Sequence, residues 1–187
     1  VNRQRVAVAL VHHPVLDRRG DVITTAVTNL DLHDIARTAR TYGVGRFFVI
    51  TPVAEQRLLV ERIRSHWRHG HGAAYNPHRG EALSLIELAS NLEEAIGRWE
   101  ELTGQAPVPV LTGASRRGGM SFESCRELAE RHPLMLVFGT GWGLAPELYG
   151  NSPKVLEPVR GADGYNHLSV RAAAAVILDR LLGVGRE

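Results

Sequence analysis

The pattern of this chain predicts an α/β fold, with a mainly parallel sheet covered by helices on both faces. Short apolar runs bounded by polar or turn residues recur at 5–12 (RVAVALVH), 46–51 (RFFVIT), 108–112 (VPVLT) and 134–138 (LMLVF), each the length of a buried strand. Longer stretches with helical apolar spacing separate them, and βα alternation of that kind builds parallel sheets. Neither an internal repeat nor a linker interrupts the pattern, so one domain over residues 1–187 is expected.

The first strand, at 5–12, is apolar on both faces. The helix over 28–42 is entered through Asn29 or Asp31 and stopped at Gly43. The strand at 46–51 leads into a helix over 54–67, and the polar, glycine-rich residues 68–80 are expected to form a loop. A strand over 83–88 precedes the capping box Ser90-Asn91-Leu92-Glu93, which opens a helix ending near Gly104. After the strand at 108–112 come the loop Gly113-Ala114-Ser115-Arg116-Arg117-Gly118-Gly119 and a helix over 121–131. The apolar strand that runs into Gly139, a short strand over 154–157 and a closing helix over 166–182 complete the order.

Composition bounds the function. A chain of 187 residues, 44% hydrophobic, can bury a sizeable core, and a net charge of +2 gives no bulk field that would mark a nucleic-acid binder. Of the 22 basic residues only Lys154 is a lysine. Guanidinium groups suit bidentate phosphate contacts and base stacking, although codon usage explains the bias equally well. With Cys125 as the single cysteine, an intramolecular disulfide and a cysteine-based zinc site are both excluded, which suits a reducing cytosol. No signal peptide and no apolar run of about 18 residues is present, so a cytoplasmic protein with no membrane partner is expected.

The segment Leu134-Met135-Leu136-Val137-Phe138-Gly139-Thr140-Gly141-Trp142-Gly143-Leu144 is the most informative. An apolar strand that discharges into three glycines lets a ligand approach bare backbone. The usual dinucleotide fingerprint opens a domain, with an acidic ribose partner about 20 residues on. These glycines come too late for a doubly wound sheet to follow. A second glycine- or proline-bearing loop follows the strand at 108–112 and a third follows Glu157. At the carboxyl ends of parallel strands the three would meet, with Leu111, Leu156 and Leu168 as apolar walls.

Three separated segments resemble the motifs of the SPOUT (SpoU and TrmD-like) RNA methyltransferases, and more closely a bacterial branch related to the tRNA guanine-N1 methyltransferases. Residues 31–43, Asp31-Leu32-His33-Asp34-Ile35-Ala36-Arg37-Thr38-Ala39-Arg40-Thr41-Tyr42-Gly43, are similar to that family's Asn-x-Gly-x-Ile-x-Arg-Thr-Ala…Phe-Gly helix, with Arg37 on its arginine. The glycine strand is the second segment. Glu157-Pro158-Val159-Arg160-Gly161, continuing into Asn166-His167-Leu168-Ser169-Val170, is the third. The resemblance implies a C-terminal deep trefoil knot, S-adenosylmethionine bent into it, S-adenosylhomocysteine as product, and active sites formed between two subunits of a homodimer. It places the cofactor against Leu111, Thr112, Gly113, Phe138, Gly139, Thr140, Gly141, Gly143, Leu156, Glu157, Pro158, Val159, Asn166, His167 and Leu168. An apolar, small-residue stretch of the last helix, Ala172 to Ala175 with Val176, Ile177, Leu181 and Leu182, is expected to supply part of the dimer surface.

The chain departs from SpoU-type enzymes at Asp31 and His33, where they carry Asn and Gly, and at Trp142, where they carry an acid. These departures count against 2′-O-ribose methylation. Methyl transfer from a sulfonium is an in-line displacement that needs alignment and, for a hydroxyl or ring N–H nucleophile, a proton acceptor. Arg37 is the candidate to orient a phosphate or stabilise charge, and Asp31, His33 or Asp34 the candidate to accept the proton; Asp31 as a helix cap and Arg37 as an ordinary ion-pair partner are the competing roles.

His66, His69, His71 and His78 crowd one stretch, but no carboxylate or cysteine completes a metal-ligand pattern there, so no metal is expected. Arg68 and Arg79 with Trp67 and Tyr75 suit phosphates and stacked bases instead, with Arg116 and Arg117 as further RNA contacts, although a solvated loop explains the stretch as well. His12-His13-Pro14 closes the first strand, where a histidine is usually structural. The expected function is a base-modifying tRNA or rRNA methyltransferase that binds RNA rather than DNA and has no separate RNA-binding domain. A binding module that has lost turnover and a small-molecule methyltransferase are the alternatives.

Overall fold

The computed structural model describes residues 1–114, 118–150 and 154–184. Its strands are β1 (Val6–Val11), the short hairpin β2 (Val15–Leu16) and β3 (Val22–Ile23), β4 (Arg46–Ile50), β5 (Ile86–Ala89), β6 (Val108–Leu111), β7 (Leu134–Gly139) and β8 (Lys154–Val155). Its helices are α1 (Asn29–Thr41), α2 (Ala54–Arg68), α3 (His71–Tyr75), α4 (Pro77–Leu83), α5 (Leu92–Thr103), α6 (Phe122–Arg131) and α7 (Val170–Leu182). Short 3-10 turns occupy Arg3–Arg5 and Pro146–Tyr149.

Six parallel strands form the main sheet in the order β5-β4-β1-β7-β6-β8, as the βα alternation predicts. All residues of β1 are buried, because both its faces are covered. Val6, Val8 and Leu10 point into a large core with residues of α1, α2, α4, α6 and α7. Ala7, Ala9 and Val11 point the other way, towards α5. The alanines leave room there for Trp99, whose Nε1 donates to the Leu134 carbonyl at 3.0 Å, and for Phe48, edge-on to it. The helical cover is therefore on both faces but lopsided.

Helix boundaries differ from the sequence expectation where capping chemistry decides. Thr28, not Asn29 or Asp31, caps α1: its Oγ1 accepts from the Asp31 backbone N–H at 3.1 Å and donates to Asp31 Oδ2 at 2.6 Å. Asn91 caps α5 by accepting from the Glu94 N–H at 2.8 Å, and Glu94 reaches back to the Ser90 N–H at 2.6 Å, so the box lies one residue later than Ser90–Glu93. The closing helix starts at Val170, not at 166, because Ser169 is extended and caps it, its Oγ accepting from the Ala172 N–H at 3.2 Å; Asn166 Nδ2 instead donates to the Ala114 carbonyl at 3.0 Å. Each such cap is worth about 1 kcal/mol.

The largest correction concerns 68–80. That segment is not a loop but α3 and most of α4, folded around Trp67. Pro77 at the first helical position and Asn76, which accepts from the Arg79 N–H at 3.1 Å, start α4; the helix runs through Leu83, so the strand expected at 83–88 begins only at Ile86. The glycines permit the packing: a Cβ on Gly72 would lie 2.7 Å from the Trp67 ring, and one on Gly80 would lie 2.3 Å from the Trp67 carbonyl oxygen. Among the described residues no helix is long and apolar enough to cross a membrane.

Candidate functional site

The loops after β6, β7 and β8 leave the carboxyl ends of three neighbouring strands, where parallel sheets bind ligands. Their side chains are largely engaged within the chain. Phe138 and Leu156 are core residues, and Leu111 is buried on the α5 side. Thr112 Oγ1 donates to the Val137 carbonyl at 3.0 Å. Thr140 Oγ1 donates to the Val11 carbonyl at 3.0 Å and meets Thr25 Oγ1 at 2.5 Å. Glu157 Oε1 accepts from the Phe122 N–H at 3.0 Å and so helps Ser121 hold the start of α6. Pro158, Val159 and Asn166 are half-buried, whereas His167 and Leu168 are exposed. What these loops offer a ligand is mostly backbone.

The three glycines of the second loop do different things. Gly139 is required by the turn itself, since a Cβ there would stand 2.7 Å from the Leu144 nitrogen. Gly141, at φ +59°, would push a Cβ to within 2.8 Å of the Leu16 carbonyl oxygen, and Trp142 N–H donates to that same oxygen at 2.8 Å. Gly143, at φ +109°, has nothing within 4 Å of a Cβ among the described residues. In the first loop Gly113 is half-buried, and Gly118, at φ +82°, likewise has nothing within 4 Å of a Cβ among the described residues. Arg116 and Arg117 lie outside the described residues.

The first motif reaches the third through Arg171. Asp31 is only 6% exposed, and besides Thr28 it accepts from Arg171 Nη1 at 2.8 Å; Arg171 Nε lies 3.4 Å from Asp34 Oδ2. Asp31 thus anchors the start of α7 while sitting in the first turn of α1. His12, wholly buried behind this junction, contacts Thr25 Oγ1 through Nδ1 at 3.1 Å, and its Nε2 has no hydrogen-bond partner among the described residues. Burial pushes its pKa down to about 4 despite the opposing charge of Asp31, so the imidazole is neutral.

Arg37 and His33 face a cleft of about 580 Å³ between α1, α2 and α4, lined also by Asp34, Arg62, His66, Trp67 and Arg79. Arg79 Cζ sits 4.7 Å over the Trp67 ring, and His33 and His66 meet that ring edge-on at 5.5 and 5.3 Å. Burial first, then the guanidiniums of Arg79 and Arg37, lower the His33 pKa against the opposing pull of Asp34. Arg68 and Tyr75 are exposed at the ends of α2 and α3, and neither lines this cleft. The sequence reading passed over Arg62 and Arg171. The i, i+4 spacing of Arg62 with His66 and Ile63 with Trp67 was the available signal for the cleft; only the fold could pair Arg171 with Asp31. No cluster of three metal-ligating side chains forms among the described residues.

The last helix divides its apolar residues between the core and its outer side. Ala174, Ile177, Leu181 and Leu182 are buried in the chain's own core against α1, α6 and β7, whereas Ala172, Ala173, Ala175 and Val176 are half-buried. Exposed apolar side chains stand elsewhere, at Leu30, Leu58, Leu59, Trp142, Tyr165 and Leu168.

Comparison with known proteins agrees with this architecture. A tRNA (guanine-N(1)-)-methyltransferase of Oleidesulfovibrio alaskensis is 46% identical over 175 residues, 94% of this chain and 41% of that protein. The chain thus spans about two-fifths of that relative's length. An uncharacterized protein of Aquifex aeolicus is 39% identical over 186 residues, 98% of this chain and 91% of that one. The SpoU methyltransferase AviRb from Streptomyces viridochromogenes, solved in complex with AdoMet, superposes with a TM-score of 0.55 at 18% identity, over 97% of this chain and 61% of its own; the two share the SpoU fold. Residues 5–183 match a family model described as SAM-dependent RNA methyltransferase, and the chain belongs to that family.

Proposed function

We propose that this chain transfers a methyl group from S-adenosylmethionine to a base in RNA, with a guanine of tRNA as the first substrate to test because relatives bear that name. The observation that carries the proposal is the convergence of three loops at the carboxyl ends of β7, β6 and β8. There Gly143 and Gly118 have no described residue within 4 Å of where a Cβ would stand, and Asn166 ties the third loop to the first. Such a cradle suits an adenosine held by main-chain groups between apolar walls. When bound there, S-adenosylmethionine supplies an activated methyl group on a sulfonium centre.

Within that proposal, Arg37 orients the RNA or stabilises charge on the target, and His33, whose pKa is lowered by burial and the neighbouring guanidiniums, accepts a proton. Asp31, already holding Thr28 and Arg171, acts by fixing α1 against the third loop. The trefoil knot belongs to the same proposal. From β8 at one edge of the sheet the chain returns past the first loop, through the Asn166 bond to Ala114, to pack α7 beneath β7 and α1. A homodimer completes the site: exposed Leu30 and Leu168 flank the Asp31–Arg171 junction in sequence and are suited to cover each other's counterparts in a second copy.

The test is methyl transfer from labelled S-adenosylmethionine to total tRNA, followed by nucleoside analysis. Methylated guanosine is expected. Stabilisation by ATP or NAD with none from S-adenosylmethionine, together with no label in RNA, would defeat the proposal.

A further inference from the structure

We infer that the cleft between α1, α2 and α4 is an RNA-anchoring subsite that takes one phosphodiester and its flanking base. The inference rests on the RNA-modifying reading above but concerns a different part of the molecule from the cofactor loops. Arg37, Arg62 and Arg79 all line this cleft, and among the described residues none has a carboxylate within ion-pair distance. Arg40 and Arg64, on the same two helices as Arg37 and Arg62, do, with Glu81 and Glu61. The cleft's one acid, Asp34, is shared with Arg171. Three guanidiniums drawn together without counter-charges repel one another, and their mutual field is relieved by an anion.

The shape narrows the anion to a nucleotide. Arg79 is already laid over the Trp67 ring, backed by Gly72, so a flat cationic surface stands ready without further loss of rotamer freedom. Bases of unpaired RNA stack on aromatic and guanidinium surfaces of this kind, whereas the phosphates go to arginine forks. A simple phosphate would leave the apolar wall of Ile63 and Trp67 unused. A smaller hollow of about 250 Å³ adjoins the cleft and shares Arg37 and Arg79 with it, adding Asn76 and His78, so a second nucleotide can follow the first. The cleft is one ion pair away from the third loop, through Asp34 and Arg171. RNA held here would therefore lie beside the cofactor end of the sheet and not across the molecule from it.

The experiment uses the 187-residue chain, fluorescein-labelled total tRNA as probe, and anisotropy at several salt concentrations. Arg62 and His66 are exposed and lie outside the proposed catalytic set, so Arg62→Ala/His66→Ala is expected to keep the wild-type melting temperature and the wild-type calorimetric affinity for S-adenosylmethionine. It should bind tRNA at least about tenfold more weakly, with a log–log salt slope shallower by roughly one unit. Arg62→Lys, which keeps the charge but not the fork, should recover the slope and only part of the affinity. A double variant with wild-type affinity and slope overturns the inference, as does equal competition by duplex DNA of matched length or a wild-type chain that ignores tRNA at low salt. A wild-type chain that binds tRNA through Arg62 but never binds S-adenosylmethionine would instead sink the methyltransferase reading and leave the cleft standing.

Discussion

Arg171 and Asp31, 140 residues apart, meet in a 2.8 Å ion pair that fastens the first turn of α7 to the first turn of α1. The pair unites two sequence motifs, because Arg171 directly follows the Asn166–Val170 segment and Asp31 lies in the first turn of the helix that carries His33 and Arg37. Arg171→Ala would leave Asp31 buried with Thr28 alone. A hydrogen bond to a charged group is worth about 1.5–3 kcal/mol, and the partial exposure of Arg171 points to the lower end. The expected outcome is a lower urea midpoint together with weaker S-adenosylmethionine binding, since the third loop loses its anchor. Unchanged cofactor affinity would confine the pair to a structural role.

His12 makes stability depend on pH. Its ordinary pKa of 6.5 falls to about 4 in the fold, chiefly through burial. Between those values the unfolded chain binds a proton that the native chain does not, so native stability drops as pH falls from about 6.5 to about 4, by up to about 3 kcal/mol. His33, lowered for similar reasons, adds to the trend with the same sign. His12→Gln should flatten this part of the profile when denaturation midpoints are compared from pH 7 to pH 4.5. Parallel profiles for the two proteins would show that the native imidazole titrates normally.

The β1, β4, β6 and β7 runs were legible because strands buried on both faces read as continuous apolar segments, and the glycine- and proline-bearing motifs marked the loops that the fold gathers at the carboxyl ends of β6, β7 and β8. The 68–80 segment was not legible. Its helices hold together through Trp67, a single side chain whose neighbours His33, Gly72 and Arg79 come from three helices, and that packing overrides the high polarity and glycine content of the local sequence. The Asp31–Arg171 pair was hidden for the related reason that spacing along the chain says nothing about which helix starts adjoin.

Gly139 separates two reasons for a glycine. The structure assigns it to the turn, through the 2.7 Å approach of a Cβ to the Leu144 nitrogen, a backbone atom that has little freedom to yield. Gly139→Ala should therefore destabilise the chain by about 1–3 kcal/mol with no cofactor present. Thermal melts without ligand decide the matter. If Gly139→Ala melts like the wild type yet fails to bind S-adenosylmethionine, its glycine serves the ligand and not the turn.

Arg37 and Asn166 should split chemistry from binding. Arg37 is exposed on α1 and faces the cleft, without an ion-pair partner among the described residues and apart from the three loops that form the proposed cradle. Arg37→Ala should leave calorimetric affinity for S-adenosylmethionine nearly unchanged. A contact that strengthens only as charge develops is typically worth about 2–4 kcal/mol, so single-turnover methylation should slow a hundredfold or more. Asn166 is the opposite case, because its Nδ2 bond to the Ala114 carbonyl holds two of the cradle's loops together. Asn166→Ala lets them separate, and the first effect should be weaker cofactor binding, with the rate at saturating cofactor reduced far less. Asn166→Asp removes the donor at constant size and should behave like Asn166→Ala. If Arg37→Ala methylates at the wild-type rate, Arg37 serves RNA docking or structure, and the search for the group that acts on the target moves to His33 and Asp34, which lie on the same helix beside the Asp31–Arg171 junction.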